Sequence, residues 1–182
     1  MCYKNNALNQ MDCPKNYGDM KWLHVAALII NHKVVSIGSC NHRTKVGNQK
    51  MPSIHAELHA IMLYFGSHNV KNLYYNSKTK YNVKNKRKNN NFSNSKNKKY
   101  EKMLRSLRNA EMIVIRKPNS DVIDHYLESR PCNECVKMMK KLGIKKVHYS
   151  NEKGKIITEK VKDMALKHNT PGNLRYKKNL FN

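Results

Sequence analysis

The chain of 182 residues carries 36 Lys and Arg against 12 Asp and Glu, a formal net charge of +24. That length suits one domain, residues 1–182, and no apolar run of about 18 residues is present to span a membrane. Five scattered cysteines (Cys2, Cys13, Cys40, Cys132 and Cys135) argue against a disulfide framework, and the polar start reads as no secretory signal, so a cytoplasmic or nuclear protein is expected.

Residues 1–20 are polar and irregular, with weak helical hints at best. WLHVAALII, 22–30, is a continuous apolar run of strand length, and the apolar pattern resumes from Val34 to Gly38. Asn31 and His32 between the two runs read as a hairpin turn. NHRTKVGNQKMP, 41–52, reads as a polar loop. Ile54, Leu58, Ile61, Met62 and Phe65 then share one helical face, with Ser53 as the expected N-cap and Gly66 as the stop.

Residues 71–105 form a basic Lys/Asn-rich insert with twelve Lys and Arg and one acid, Glu101. Few apolar side chains occur over 76–99, so little of that tract can be buried and part of it is expected to be flexible. Tyr100, Met103, Leu104 and Leu107 predict a helix that closes the insert. EMIVIRK, 111–117, reads as a buried strand. CNECVKMMKKLG, 132–143, reads as a helix with Pro131 at its first position, and IKKVHYS, 144–150, as a strand. ITEKVKDMALKH, 157–168, predicts a C-terminal helix followed by a tail to residue 182. Strand, helix and strand after a leading hairpin imply an α/β layered domain with some parallel pairing.

Two stretches carry chemistry: SIHAELHAI, 53–61, and SRPCNEC, 129–135. Cys132 and Cys135, three apart on a first helical turn, can grip one metal from two corners of a tetrahedron. The helix N-terminus favours their thiolate forms. His55 offers a third ligand from another helix start, and three ligands leave one position for water, whose pKa zinc brings toward neutrality. Glu57 points differently from the ligand and can move protons beside it. The alternative is a closed structural site, with Cys40, His59 or His125 as a fourth ligand. His24, His32, His42, His68, His148 and His168 stand alone and read as surface or packing residues.

HAE at 55–57 with PCNEC at 131–135 resembles the zinc cytidine/deoxycytidylate deaminase superfamily, whose H-x-E…P-C-x-x-C signature it matches. HAELHAIM, and PCNEC followed by LGIKKV, look most like the deoxycytidylate deaminase branch. IGSCN, 37–41, resembles the strand end where that family holds a substrate-contacting asparagine. The resemblance implies a cytidine-deaminase-like three-layer α/β/α fold with a central mixed sheet. It implies Zn2+ held by His55, Cys132 and Cys135, with Glu57 as the catalytic proton shuttle. Asn41 and the backbone N–H of Ala56 are the implied substrate contacts, and a homo-oligomer is the implied assembly. Seventy-four residues separate Glu57 from Cys132, more than is usual in the family, because of the basic insert.

The expected reaction is hydrolytic deamination of a cytosine base to uracil with release of ammonia, on a free pyrimidine nucleotide such as deoxycytidylate. Arg43 and Lys45 are placed to meet a single substrate phosphate. Two alternatives stay open: editing of a base in single-stranded DNA or RNA or in tRNA, and a non-catalytic, zinc-stabilised nucleic-acid-binding module. Nucleic acid is a candidate partner through the insert, where lysines can grip phosphates and Tyr74, Tyr75, Tyr81 or Phe92 can stack bases. Against that stands a solvated loop that costs little stability.

Overall fold

The computed structural model describes residues 3–11, 22–46, 49–66, 93–118 and 126–167. Trp22–Ile30 forms β1 and Lys33–Ser39 forms β2, joined antiparallel through Asn31 and His32. Both turn residues have positive φ, 51° and 62°. A type I′ turn requires those signs, and its twist suits paired strands.

On its other edge β1 pairs antiparallel with β5, Glu111–Pro118. β5 runs parallel to β6, Lys146–Ser150, which pairs antiparallel with β7, Ile156–Lys160. The sheet order is β2-β1-β5-β6-β7. The parallel pair needs a crossover, and α4, Asn133–Leu142, supplies it. The other helices among the described residues are α1, Tyr3–Gln10, α2, Ala56–Phe65, and α3, Ser93–Leu107.

Strand side chains alternate between faces, and here both faces are covered. Ala26, Leu28, Met112 and Val114 pack with Leu58, Ile61 and Phe65 of α2, Leu107 of α3 and Met139 of α4. Val25, Ala27, Ile29, Ile113 and Ile115 face the other way, onto Ala7 of α1 and Met11 just after it. Each large aliphatic side chain so buried stabilises the fold by about 1.5–3 kcal/mol. The result is the expected α/β/α arrangement around a mixed sheet. No described helix is long and apolar enough to cross a membrane.

α2 lies almost on the backbone of β2. A Cβ on Gly38 would come within 2.2 Å of the Ala60 nitrogen and 2.6 Å of the Ala56 carbonyl oxygen. The Ser36 hydroxyl donates to the Ala60 carbonyl at 2.8 Å. These contacts fix the height of α2 above the sheet, and with it the start of that helix.

Several expectations are corrected. The irregular N-terminal stretch contains α1, held by Ala7 and Met11, which are 1% exposed. Residues 41–54 form a hairpin, β3, Asn41–Val46, with β4, Gln49–Ile54, not a polar loop. Backbone pairing holds it where apolar alternation is missing. Ser53 and Ile54 therefore belong to β4, and the α2 N-cap is His55. Likewise Cys132 caps α4, so Pro131 precedes the cap instead of opening the helix. Finally, the stretch from 157 is a strand followed by a short 3-10 turn, Val161–Asp163. The tight turn around Asn151 folds Ile157 back opposite Tyr149, so pairing with β6 wins over a helix. The expected closing helix of the insert is present as α3. Residues 67–92, the tail from 168, Cys2, Cys13 and His125 lie outside the described residues.

Candidate metal centre

β4 hands the chain to α2 at His55, whose backbone is extended with φ −76° and ψ 150°. Cys132 stands in the same position before α4, with φ −71° and ψ 168°. An N-cap side chain ordinarily bonds a backbone N–H of its own first turn. Neither residue does so. Their side chains turn toward one another instead. His55 Nδ1 lies 3.3 Å from Cys132 Sγ and 3.3 Å from Cys135 Sγ.

The three ligand atoms all fall within 4.8 Å of each other. Zinc bonds of about 2.0 Å to nitrogen and 2.3 Å to sulfur span tetrahedral edges of roughly 3.5–3.8 Å. One imidazole nitrogen and two sulfurs converging at that scale fit zinc in both donor type and spacing. Cys132 and Cys135 are 4% exposed, so the cluster is closed to bulk water on the α4 side.

The loop that delivers Cys132 is tied to the sheet. Ser129 N donates to the Ser150 carbonyl at 2.9 Å, and the Ser129 hydroxyl donates to the Val114 carbonyl at 2.8 Å. Ser150 N returns a bond to the Ser129 oxygen at 2.9 Å, and the Ser150 hydroxyl donates to the Leu127 carbonyl. Next to it, buried Arg130 donates to the Ala165 carbonyl at 2.9 Å and lies 3.6 Å from Glu159. The segment before the cysteine pair is thus anchored to β5, β6, β7 and the chain that follows.

Glu57 enters on the first turn of α2 and is 6% exposed. Burial pushes its carboxyl above the usual carboxylate range, against the pull of the His55 charge. The Cys135 thiol beside it favours the charged form and offsets a smaller part of that rise. Between the two thiols, Cys132 is the more acidic, because Cys135 donates to it and His55 lies alongside. Cys135 moves the other way for the same reason. The His55 imidazole is raised, chiefly by its hydrogen bond to Cys132.

Two further residues, Cys40 and His24, lie close to the cluster. Cys40, a candidate fourth ligand, stands beside Glu57 and receives a hydrogen bond from the Ala56 backbone. Burial and the Glu57 charge push its thiol up to about 11. His24 is also close. Burial, then the charges of Arg116 and His55, take its imidazole down to about 4. Its carbonyl accepts from Cys40 N at 3.0 Å. The sequence signal for both was only their position on or just after the strands preceding the motif. His59, a candidate fourth ligand, is instead held by Ser39: its Nδ1 lies 3.1 Å from Ser39 N and 3.0 Å from Ser39 O. Asn41 and Arg43 sit on β3, and their side chains fall outside the described residues. Cys40 and Asn41 follow directly on β2, so the strand brings this segment to the same end of the sheet as His55.

A layered α/β domain with a His/Cys/Cys cluster at two helix starts and a buried glutamate between them defines a zinc-site hydrolase class. The family described as the cytidine and deoxycytidylate deaminase zinc-binding region matches residues 6–151. The chain belongs to that family, a family of zinc-binding deaminases. No curated protein and no solved structure matches the chain.

Proposed function

We propose that this chain is a hydrolytic deaminase that converts a cytosine base to uracil, acting on a free nucleotide such as deoxycytidylate. His55, Cys132 and Cys135 would hold zinc. When bound, the metal supplies Lewis acidity that makes a water molecule nucleophilic near neutral pH. The carrying observation is Glu57, buried at 6% exposure in contact with Cys135. Its raised pKa brings the carboxyl closer to the value at which a group both takes and returns a proton. The Glu57 carboxylate accepts a proton from the attacking water and delivers it to the ring nitrogen beside the amino-bearing carbon. It then passes the second proton to the departing amino group. One water is consumed, one C–N bond breaks, and ammonia leaves. The Ala56 N–H, which faces Cys40, is assigned to the pyrimidine carbonyl. Asn41 and Arg43 are assigned to the sugar and the phosphate.

The test is Glu57→Gln. Zinc content and melting temperature stay near those of the parent, while ammonia release falls by at least about a hundredfold. Equal ammonia release by parent and variant from every cytosine substrate offered removes the enzyme reading and leaves a zinc-stabilised module. The charge of +24 favours a second reading, in which the base belongs to a polynucleotide. Comparing deoxycytidylate with a cytosine-containing oligonucleotide decides between the two.

A further inference from the structure

The far end of the molecule from the zinc ligands holds a cleft of about 550 Å³. It is lined by Arg108, Lys140, Lys145, Lys146, Lys160 and Lys162, with Gly143 and Ile144 as its floor. Among the described residues, no carboxylate lines it. Three segments converge to build it. Lys145 N donates to the Ala110 carbonyl at 2.9 Å, and Val161 N donates to the Lys145 carbonyl at 3.1 Å. Gly143, with φ 76°, ends α4 so closely that a Cβ there would lie 3.3 Å from the Arg108 side chain. The cations are therefore mounted on the ends of β6, β7, α3 and α4, not on a free loop.

A helix C-terminus attracts cations, which accounts for Lys140. It does not account for Lys160 and Lys162, which come from β7 and the turn after it. Two of the charges are partly engaged: Lys140 donates to the Met164 carbonyl at 2.9 Å, and Lys146 lies 3.7 Å from Glu111. The remaining cations repel one another in the absence of an anion.

The positive field does not stop at the cleft. Lys98, Lys102 and Arg105 are exposed and share one face of α3 with a single acid, Glu101, opposite Met103, Leu104 and Leu107, which pack on the core. Arg108, the residue directly after α3, carries that face into the cleft. From Lys98 to Arg108 the track is about 15 Å long at a rise of 1.5 Å per residue. A mononucleotide meets the cleft and leaves the track unused. An anion with repeating charges meets both.

We propose that the cleft and the cationic face of α3 form one docking surface for the phosphate backbone of a polynucleotide. The surface lies apart from the zinc centre, and its test needs no deamination. A labelled oligothymidylate has no amino group to remove, so its binding reads the surface alone.

The test compares the parent with the triple variant Arg108→Gln, Lys160→Gln, Lys162→Gln and with a control triple, Lys33→Gln, Lys117→Gln, Lys153→Gln. Both triples are checked for parental melting temperature and zinc content. Binding of oligothymidylate is followed by fluorescence anisotropy over a salt series. The cleft triple is expected to weaken binding by about tenfold or more and to flatten the salt slope by roughly 2, at about 0.7 for each phosphate no longer neutralised. The control triple is expected to change affinity less than about twofold, the size of a small shift in the general field. Equal weakening by both triples overturns the proposal, because charge alone would then explain binding. Two other results also overturn it: inorganic triphosphate, or vesicles of anionic lipid, losing affinity in the cleft triple while oligothymidylate does not.

Discussion

Gly38 and Ala60 are in backbone contact: a single carbon added to Gly38 would lie 2.2 Å from the Ala60 nitrogen. The obstacle is main chain, so no rotamer change relieves it. Gly38→Ala must push α2 off the sheet, and α2 begins at His55. The variant is expected to lose about 1–3 kcal/mol of stability, the range for overpacking, read as a lower urea midpoint. Its zinc content should fall as well, because His55 moves with the helix. Unchanged stability and metal content would show that β2 and α2 are not in this contact.

Cys132→Ala removes a buried thiol of the proposed zinc cluster, and a chelator strips from the parent the zinc that the cluster is expected to hold. Both treatments should converge on one melting temperature. With zinc at about 100 times its Kd, its binding contributes about 2.7 kcal/mol, or roughly 5–11 °C for a chain of this size. Scanning calorimetry with and without chelator measures the difference. A chelator-insensitive parent with no stoichiometric zinc contradicts the assignment of the cluster.

Ser129→Ala tests the anchor behind Cys132. The substitution leaves the Val114 carbonyl and the Ser150 N–H without their Ser129 partner inside the protein. Buried groups stripped of partners cost about 1–3 kcal/mol. Because the same bonds orient the cysteine loop, zinc affinity should drop by about tenfold, as for other partners that orient metal ligands. Competition with a chromogenic chelator reports that figure independently of stability.

His148 gives the fold a pH dependence of its own. It is fully buried on β6, with Nδ1 2.7 Å from the Thr158 hydroxyl and Nε2 2.8 Å from Glu111. Burial lowers its pKa from 6.5, and the charges of Lys4 and Lys146 add to that, while Glu111 opposes them. The unfolded chain therefore takes up the proton first as pH falls through 6.5. The unfolded state binds more protons in that window, so stability is lost on acidification. The limit for one proton is about 1.4 kcal/mol per pH unit. His148→Gln should show a shallower decline in urea midpoint between about pH 7 and pH 5. Parallel declines in parent and variant would assign the effect to other groups.

Much of the candidate site is legible in the sequence because metal chemistry writes itself into short spacings. His55, Glu57, Cys132 and Cys135 stand in the sequence at the intervals that helix starts require. The structure brings the histidine and the cysteines to one point. The β1–β2 turn was legible for a similar reason: two residues between two apolar runs leave few options. Where structure departs from sequence expectation, local pattern and tertiary pairing disagree. Ile157, Val161 and Met164 recur as a helix face would. The chain places them on a strand and a 3-10 turn, where Val161 and Met164 are buried all the same. Apolar spacing does not distinguish the two. Ser53 looked like a cap because capping chemistry favours serine, yet β4 holds it, opposite His42 of β3. His24 could not be placed beside the cluster, nor Cys40 beside Glu57, without knowing that β1 begins and β2 ends there.

The opposed ends of α2 have a consequence for how this chain tolerates change. His55 stands at one tip, and Gly66 closes the other about 15 Å away. Whatever follows Gly66 departs from the tip remote from the cluster, and the chain returns to the sheet at Ala110 and β5 before Cys132 is reached. The spacing of the two motifs along the polypeptide is thereby uncoupled from the spacing of their ligands in space. A lineage can lengthen or trim the intervening segment, or a protein engineer can splice a reporter into it, without retuning the coordination geometry.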